Sequence, residues 1–192
     1  MIPDKLSLKK QKKFVEFAKN KDILELGGGA GDFVSLCKPF AKSILSIDNK
    51  PLSPNVKKID IINFLKKNKK KFDLIYARHV IEHFEPKDII FIFNKSYQFL
   101  RPDGILIIIF PNIKNIHVAT YDFWVEFEHK RPYADLGIIY QLENMGFKIV
   151  KNGPDNDSWD NAIHKKIIRK IRSLITGLPF EAPDYLIIAK KP

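Results

Sequence analysis

Residues 22–33, DILELGGGAGDF, decide the fold predicted for this chain. The apolar-biased residues that end at Glu25 predict a buried strand, the glycines after them predict a tight turn, and residues 32–34 open a helix. Glycine suits such a turn because the backbone takes positive φ there and a ligand can approach without a Cβ in its way. A strand, a glycine turn and a helix N-terminus in this order form the arrangement that cradles a nucleotide-like cofactor.

Length and composition predict one globular domain over residues 1–192. The apolar fraction is 45% and the charged fraction is 29%, which excludes the disordered and membrane-spanning classes of chain. The longest nearly apolar run, residues 104–111, is too short to cross a bilayer. The N-terminal residues lack the apolar core of a signal peptide, so we expect a cytoplasmic protein.

The formal net charge of +11 leaves the nature of the partner open. A basic chain suits an anionic partner such as RNA, a phosphoglycan or a membrane surface. However, only five of the 33 basic residues are arginine, the side chain that specific phosphate recognition favours. A compositional bias toward lysine explains the charge equally well.

The chain alternates short apolar strands with helices, starting from an N-terminal helix within residues 1–21 that we expect Ser7 to cap. Strands are expected at residues 22–25, 43–48, 56–60, 72–77, 105–110, 147–151 and 185–189. Further helices are expected from residue 32 to about 40, at 61–71 as a helix or loop, from Pro86 to about 100, and at 134–145 and 161–175. Residues 101–104 are expected to form a turn and residues 152–160 a polar loop. Parallel neighbours need a crossover connection, so this order predicts an α/β fold. The expected sheet is Rossmann-like, doubly wound, seven-stranded and mostly parallel, with helices on both faces and the last strand antiparallel to the sixth.

Polar side chains stand where several of these strands end. They are Glu25, Asp48, Asp60, Arg78 and His79. In open sheets of this type, ligands bind outside the carboxyl ends of the strands. We therefore assign residues 22–112 to a cofactor-binding half and residues 113–192 to an acceptor-side half.

The glycine turn does not match a dinucleotide fingerprint. Counting from Gly27, the third glycine of G-x-G-x-x-G would fall where Asp32 stands. Asp32 and Glu25 also place negative charge where a pyrophosphate would need the helix dipole to itself. A cationic cofactor that carries an adenosine is better matched.

Several motifs together resemble the class I S-adenosylmethionine-dependent methyltransferases. They are ELGGGAG at 25–31, the acids Asp48 and Asp60, DLIYARHVIEH at 73–83 and LRPDG at 100–104. The resemblance spans about residues 20–150 in the family's order, and the last strand fits it as well. It implies S-adenosylmethionine as the cofactor and S-adenosyl-L-homocysteine as its product.

The resemblance also implies a set of cofactor-binding residues. They are Glu25, Gly27, Gly29, Gly31, Asp48, Asn49, Asp60, Ile61, Arg78 and His79. The glycines would pass under the cofactor, with Glu25 near its amino-acid end. Asp48 would hold both ribose hydroxyls, since a carboxylate offers two acceptor oxygens. Asp60 and Ile61 match the adenine-contacting position, and Arg78 and His79 border the transferred methyl group. Two simpler roles stay open, in which Glu25 only caps the helix and Asp60 only ends a strand.

Two segments bear on the acceptor. The family members that methylate exocyclic amines of bases carry N/D-P-P-Y/F after the fourth strand, whereas this chain has ARHV at 77–80, so DNA-base amines are disfavoured. Residues 123–133, FWVEFEHKRPY, resemble the F-W-x-D-x-T-H-x-R-P-Y segment of methyltransferases found with sugar- and polysaccharide-modifying enzymes. Glu128 replaces the usual threonine, which leaves the acceptor open.

The same segments supply the candidate catalytic and acceptor-binding residues. His129 could take a proton from a hydroxyl group, because histidine titrates near neutral pH, and His83 is a second candidate. Arg131 can bind a phosphate or carboxylate, while Trp124 and Tyr133 can stack on a sugar face. The alternative for His129 is a structural histidine bonded to a loop carbonyl. No metal site is expected.

Three classes of function remain open from the sequence. The first is an O-methyltransferase that acts on a small molecule or glycan, and the second is a methyltransferase of RNA or protein. The third is a non-catalytic module that binds the cofactor or a partner. The helix at 161–175 has an isoleucine-rich stripe and a basic face, so it either contacts an anionic membrane or packs as an ordinary amphipathic helix. The oligomeric state is not predicted.

Overall fold

The computed structural model describes residues 5–156, 163–177 and 181–192. Seven strands form its sheet: β1 Asp22–Leu26, β2 Ser43–Asp48, β3 Lys57–Lys58, β4 Phe72–Arg78, β5 Leu100–Pro111, β6 Lys148–Pro154 and β7 Asp184–Lys190. The α-helices are α1 Lys5–Gln11, α2 Asp32–Cys37, α3 Ile61–Lys67, α4 Pro86–Phe99, α5 Phe123–Val125, α6 Asp135–Asn144 and α7 Ile163–Thr176. Two 3₁₀-helices, Lys12–Ala18 and Ile81–His83, and a π-helix, Val118–Asp122, complete the described elements. The first four residues of the expected N-terminal helix, residues 157–160 of the expected polar loop and residues 161–162 of the expected basic helix lie outside the described residues.

The sheet has the strand order β3-β2-β1-β4-β5-β7-β6. Strands β1 to β5 pair in parallel, and β7 pairs antiparallel with both β5 and β6. Strands β2 and β3 extend the sheet on one side of β1, and β4, β5, β7 and β6 extend it on the other. The predicted α/β fold, with its mostly parallel seven-stranded sheet and antiparallel last strand, is confirmed.

Apolar side chains cover both faces of the sheet. Along β5, Leu106, Ile108 and Phe110 belong to a core cluster with residues of α3, α4 and α6, whereas Ile107 and Ile109 belong to a second cluster with Phe14 and residues of α2. Side chains of a strand alternate between faces, so a run that is apolar at every position needs cover on both sides. This explains the uninterrupted ILIIIF sequence of β5.

Several element boundaries differ from the sequence-based prediction. Ser7 lies inside α1 and its Oγ accepts a hydrogen bond from Gln11 Nε2 at 3.0 Å, so the expected capping role is wrong. The expected turn at 101–104 is part of β5, and β6 continues to Pro154 into the expected polar loop. Both extensions follow from pairing, because Asp103 N donates to Lys191 O at 3.0 Å and β6 pairs with β7 as far as Pro154, opposite Tyr185, after a register shift between Ile149 and Lys151.

No helix among the described residues is long and apolar enough to span a membrane. Helix α7 nevertheless exposes part of its apolar stripe, with Ile167, Ile171 and Leu174 at 54%, 51% and 86% exposure. Peripheral contact with a membrane through this helix stays a prediction.

Candidate active site

The glycine turn places backbone N–H groups and open space at the end of β1. Gly27, Gly29 and Gly31 have φ values of 73°, 44° and 80°, which only glycine adopts readily. Gly27 N and Gly28 N both donate to Ile47 O, at 2.9 and 3.1 Å, so the turn is tied to β2. A Cβ on Gly29 would meet only Asp48 Oδ2, at 4.0 Å. The turn is therefore hydrogen-bonded to β2 on one side, and the space beside Gly29 is open on the other.

Asp48 is held next to this turn by two backbone donors. Its Oδ2 accepts from Gly29 N at 2.9 Å and its Oδ1 accepts from Lys50 N at 2.7 Å. Each carboxylate oxygen retains a further acceptor site. The arrangement orients the carboxylate at the carboxyl end of β2 and leaves it able to accept hydrogen bonds from a ligand.

Three buried polar atoms near the turn have no hydrogen-bond partner among the described residues. They are Glu25 Oε2, Asp32 Oδ1 and Ser46 Oγ. Such atoms cost free energy unless something pairs with them, and their position fits a ligand with donor groups. Burial, together with the neighbouring carboxylates of Asp32 and Asp48, raises the pKa of Glu25 to about 7. These acidic side chains therefore suit a ligand group that carries a positive charge.

Two cavities meet at the carboxyl ends of the strands. The smaller, of about 280 Å³, has the glycine turn, Glu25 and Asp32 on one side and Gln11 and Tyr76 on the other. The larger, of about 590 Å³, extends over Asp60 and Ile61 toward the segment 126–130. Gly27, Asp48 and His79 line both. One elongated ligand could therefore occupy the two cavities together.

The other predicted cofactor residues lie around these cavities. Asp60 is the N-cap of α3, where its Oδ1 accepts from Asn63 N at 2.8 Å, so its structural role is to cap a helix, whereas the sequence had left open only a role at the end of a strand. Asp60, the buried Ile61 and Asn49 line the larger cavity. Arg78 lines the smaller one. All ten predicted cofactor-binding residues except Gly31 line at least one cavity; Gly31 is instead the N-cap of α2.

His79 is held between two buried carboxylates. Its Nδ1 lies 3.1 Å from Glu82 Oε1 and its Nε2 lies 3.3 Å from Asp184 Oδ1. Burial opposes a charge on the ring, but these hydrogen bonds outweigh it and raise the pKa of His79 to about 9. The φ of 52° at His79 is unusual for a residue with a side chain, so the network holds β4, β7 and the 3₁₀-helix 81–83 in one fixed geometry.

The acceptor-side segment folds against the same 3₁₀-helix. Lys130 N donates to Glu82 O at 2.9 Å, which brings residues 126–131 to the cavity wall. There His129 Nε2 lies 3.2 Å from Glu126 Oε2, and the His83 ring packs edge-on against the His129 ring at 4.9 Å between centroids. His129 Nδ1 is 2.7 Å from Phe123 O, so the hydrogen bond to a loop carbonyl expected of a structural histidine is also made.

The remaining predicted acceptor residues lie away from the cavity linings. Trp124 is 58% exposed and its Nε1 donates to Ala119 O at 2.9 Å. The hydroxyl of Tyr133 donates to Phe84 O at 2.8 Å, and its ring packs on the core and under the Arg131 guanidinium at 5.7 Å. The structure therefore brings together His83 and His129 but not Arg131, Trp124 or Tyr133, whose contact with an acceptor stays a prediction.

Four residues of the site were not assigned a role from the sequence. Glu82 stands within the IEH motif, but only its neighbour His83 was assigned a role. Asp184 opens the last strand, and its contact with His79 depends on the antiparallel pairing. Lys50 and Glu128 form an ion pair across the larger cavity. The only sequence signal for Glu82 was its charge within a recognised motif. No local pattern indicates a role for Asp184, Lys50 or Glu128.

Comparison with known proteins identifies the family. A family described as a methyltransferase domain matches residues 4–152, more than half of the chain. A SAM-dependent methyltransferase from Archaeoglobus fulgidus is 24% identical, with a TM-score of 0.78 over 97% of this chain and 93% of its own. N-methyltransferase NodS from Bradyrhizobium japonicum WM9, in complex with S-adenosyl-L-homocysteine, is 14% identical, with a TM-score of 0.65 over 100% and 90%.

A third similar structure is an S-adenosylmethionine-dependent methyltransferase from Clostridium acetobutylicum ATCC 824. It is 14% identical, with a TM-score of 0.67 over 98% of this chain and 93% of its own. None of the curated proteins matches the chain in sequence. At these identities the solved structures establish the shared fold, and the match to the family over residues 4–152 establishes family membership. The chain belongs to the methyltransferase-domain family and is an S-adenosylmethionine-dependent methyltransferase.

Proposed function

We propose that this methyltransferase methylates a hydroxyl oxygen of a small-molecule or glycan acceptor. The observation that carries the proposal is the composition of the larger cavity. Asp48, Asp60 and Ile61 line its cofactor side, and His83 and Glu126 line its other side. His129 is outside the lining, with its Nε2 3.2 Å from Glu126 Oε2. A cofactor site thus faces a group of side chains able to accept a proton.

The cofactor side of the proposal assigns binding roles to residues whose polar atoms are free to accept. S-adenosylmethionine supplies a methyl group on a positively charged sulfur. The unpartnered oxygens of Glu25 and Asp32 would accept from its ammonium group, and Asp48 would accept from the ribose hydroxyls. The open side of Gly29 lets the ligand lie against the backbone. Asp60 and Ile61 border the space left for the adenine.

The acceptor side of the proposal follows from the bond changes. As the carbon–sulfur bond breaks and a carbon–oxygen bond forms, the acceptor hydroxyl must lose its proton. His83 and His129 offer ring nitrogens at this wall, and the carboxylate of Glu126 between them stabilises a ring that takes up the proton. Much of the remaining rate enhancement would come from holding the two reactants in line in a site that excludes water.

Labelled methyl transfer tests the proposal. The protein is incubated with methyl-labelled S-adenosylmethionine and separate polysaccharide, lipid, small-molecule, RNA and protein fractions. We expect label in the polysaccharide, lipid-linked glycan or small-molecule fraction. With that acceptor, His129→Ala should abolish turnover while changing cofactor affinity by less than about threefold, and His117→Ala, a surface histidine paired with Asp122, should behave as the unaltered protein. Label only in RNA or protein overturns the proposal.

RNA or protein is the second candidate acceptor, and the net charge of +11 favours it. RNA binding through lysine contacts to phosphates would weaken steeply as salt is raised, because each contact releases counterions. Retention on immobilised RNA at low salt, lost progressively as salt is raised, would support this candidate. Absence of retention at low salt would count against it.

A further inference from the structure

Near residues 126–130, Glu82, His83 and His129 form a three-residue cluster of potential metal ligands, and Glu126 lies beside the two histidines. A carboxylate oxygen of Glu82 and one ring nitrogen each of His83 and His129 lie within 4.8 Å of one another. Glu126 joins them, with Oε2 at 3.2 Å from His129 Nε2 and Oε1 at 3.9 Å from His83 Nε2. Ligand atoms bound to one ion at about 2.0–2.2 Å are at most about 4.4 Å apart. The three clustered atoms therefore lie near the spacing of ligands on one ion, and the Glu126 carboxylate would have to move toward them to become the fourth ligand.

The two histidines are oriented as metal ligands commonly are. His129 Nδ1 lies 2.7 Å from Phe123 O and His83 Nδ1 lies 3.2 Å from Glu128 O. A carbonyl oxygen only accepts, so Nδ1 carries a proton in each ring, and in a neutral ring this leaves Nε2 with its lone pair. Bonding of the far ring nitrogen to a backbone carbonyl is the usual outer contact of a metal-bound histidine.

Those lone pairs face a carboxylate rather than a donor. Both carboxylate oxygens of Glu126 are hydrogen-bond acceptors as well. When the His129 ring is neutral, the lone pair on its Nε2 therefore faces the lone pairs of Glu126 Oε2 at 3.2 Å, which is repulsive. A cation between the ring nitrogens and the carboxylate removes this conflict. Two neutral imidazoles and two carboxylates would also balance the charge of a divalent ion.

An independent observation comes from Glu82. Its side chain is 1% exposed, and its Oε2 has no hydrogen-bond partner among the residues that the structure describes. A buried carboxylate oxygen without a partner carries a large desolvation cost. Its carboxylate lies within reach of both histidines, so a bound cation would supply the missing interaction.

We propose that Glu82, His83, Glu126 and His129 bind a divalent first-row metal ion at the acceptor wall. Mixed imidazole and carboxylate ligands suit ions such as Mn²⁺, Co²⁺ or Zn²⁺ better than Mg²⁺, which prefers oxygen ligands. Glu126 is 56% exposed, so the ion is accessible from the larger cavity and keeps a coordination position open. This differs from the expectation, drawn from the sequence, that no metal site is present.

The use of the ion depends on the proposed function. An acceptor hydroxyl bound at the open position would become more acidic, because a divalent ion acts as a Lewis acid, and it would be oriented toward the cofactor side of the cavity. His129 is then a ligand, and its removal slows methyl transfer through loss of the ion. The existence of the site rests on the cluster itself, and only its role on the acceptor rests on the proposed function.

Metal binding is measured directly with the full chain, free of any affinity tag and stripped with a chelator. The stripped protein is titrated with Co²⁺, followed by visible absorption, and the Mn²⁺ and Zn²⁺ stoichiometries are measured by equilibrium dialysis. We expect one ion per chain. His83→Ala and His129→Ala should each weaken binding by more than the roughly 10–100-fold that loss of an outer contact costs. His117→Ala, which lies outside the cluster, should bind as tightly as the unaltered chain.

The controls separate the two proposals. Circular dichroism and S-adenosyl-L-homocysteine affinity show that each variant is folded. No stoichiometric ion, or an ion whose binding is insensitive to both His83→Ala and His129→Ala, overturns the metal site. Full-rate methyl transfer into a hydroxyl acceptor by the stripped chain overturns the role of the ion on the acceptor while the proposed function stands. A stoichiometric ion at these residues, with label only in RNA or protein, supports the site and overturns the proposed function.

Discussion

Lys50 and Glu128, 78 residues apart in the chain, form an ion pair that connects the end of β2 to the acceptor-side segment. Both residues line the larger cavity, so the pair bridges its cofactor and acceptor sides. The hydrogen bond and the opposite charge of each partner raise the pKa of Lys50 and lower the pKa of Glu128. The position of the pair indicates a role in keeping residues 126–130 closed over a bound cofactor.

Charge reversal tests this role. Glu128→Lys would place two cations together and push the segment away from Lys50, so we expect S-adenosyl-L-homocysteine to dissociate several-fold faster. Because the pair is exposed to solvent, the melting temperature should change little. Combining Glu128→Lys with Lys50→Glu restores the attraction and should return the dissociation rate to within about twofold. A double variant no better than Glu128→Lys alone would show that the pair does not close the cavity.

Asp48→Asn tests the proposed ribose contact. The asparagine keeps one acceptor for the Gly29 or Lys50 amide but loses the charge that strengthens hydrogen bonds to ligand hydroxyls. Loss of charge-assisted hydrogen bonds of about 1.5–3 kcal/mol predicts roughly ten- to hundredfold weaker binding of S-adenosyl-L-homocysteine by calorimetry. Asp103→Asn, at an exposed position far from the cavities, is the matched control and should leave affinity unchanged. Equal affinities for both variants would remove Asp48 from the site.

Cofactor affinity should depend on pH through Glu25. Burial raises the pKa of Glu25 to about 7, so near pH 6 most of the ligand-free protein carries a neutral acid. If the ionised form binds the ammonium of the cofactor, binding lowers the pKa of Glu25. Affinity then rises with pH by up to about tenfold per unit below 7 and levels off above it.

Calorimetry of S-adenosyl-L-homocysteine binding between pH 5.5 and 8.5 measures this dependence. Two buffers of different ionisation enthalpy report the protons released on binding. Glu25→Gln should flatten the profile and weaken binding above pH 7. A profile equally steep in Glu25→Gln would assign the titration to another group.

Alanine substitutions in the glycine turn should separate folding from cofactor binding. A Cβ on Gly28 would lie 2.0 Å from Ser46 Oγ, so Gly28→Ala should lower stability by about 1–3 kcal/mol. A Cβ on Gly29 meets no atom closer than 4.0 Å, so Gly29→Ala should cost about 1–2 kcal/mol for its positive φ. Gly29→Ala should in addition weaken S-adenosyl-L-homocysteine binding at least tenfold, because the new methyl group occupies the open side of the turn.

Denaturant unfolding and calorimetry check both quantities. Gly137→Ala is the control, since Gly137 lies within α6 and a Cβ added there would meet no atom within 4 Å. It should raise stability by up to about 1 kcal/mol and leave ligand binding unchanged. Unaltered ligand affinity in Gly29→Ala would place the cofactor elsewhere.

The sequence predicted those parts of the fold whose signals are local. The glycine turn after β1, the proline that opens α4 and the apolar run of β5 each carry their own physical signature, and the parallel direction of the strands follows from crossover connections. The prediction that Ser7 caps the helix was wrong because α1 begins at Lys5 and the Ser7 hydroxyl accepts a hydrogen bond from Gln11. The predicted start of β5 was wrong because Leu100 pairs with Phe72 of β4 and Asp103 N bonds to Lys191 O. The predicted end of β6 was wrong because its pairing with β7 continues to Pro154.

The parts of the candidate site that depend on local signals were likewise predictable from the sequence. Asp48 and Glu25 could be placed because strand ends in a parallel sheet converge on one edge. The cluster of His83, Glu126 and His129 could not, since its geometry depends on how the segment with a π-helix folds back onto Glu82. Tyr133 has the chemistry of a stacking residue, but its hydroxyl bonds to Phe84 O instead, which only the packing of this segment reveals.

The most direct test of the account is the chemical bond that the transferred methyl group forms. The protein is incubated with deuterated-methyl S-adenosylmethionine and the labelled fraction, and the product is examined by mass spectrometry and by NMR. We predict a methyl ether on a hydroxyl oxygen of a small molecule or glycan, stable to mild base and absent when His129→Ala replaces the unaltered protein. A methyl group on nitrogen, on carbon or in a base-labile ester would contradict the account.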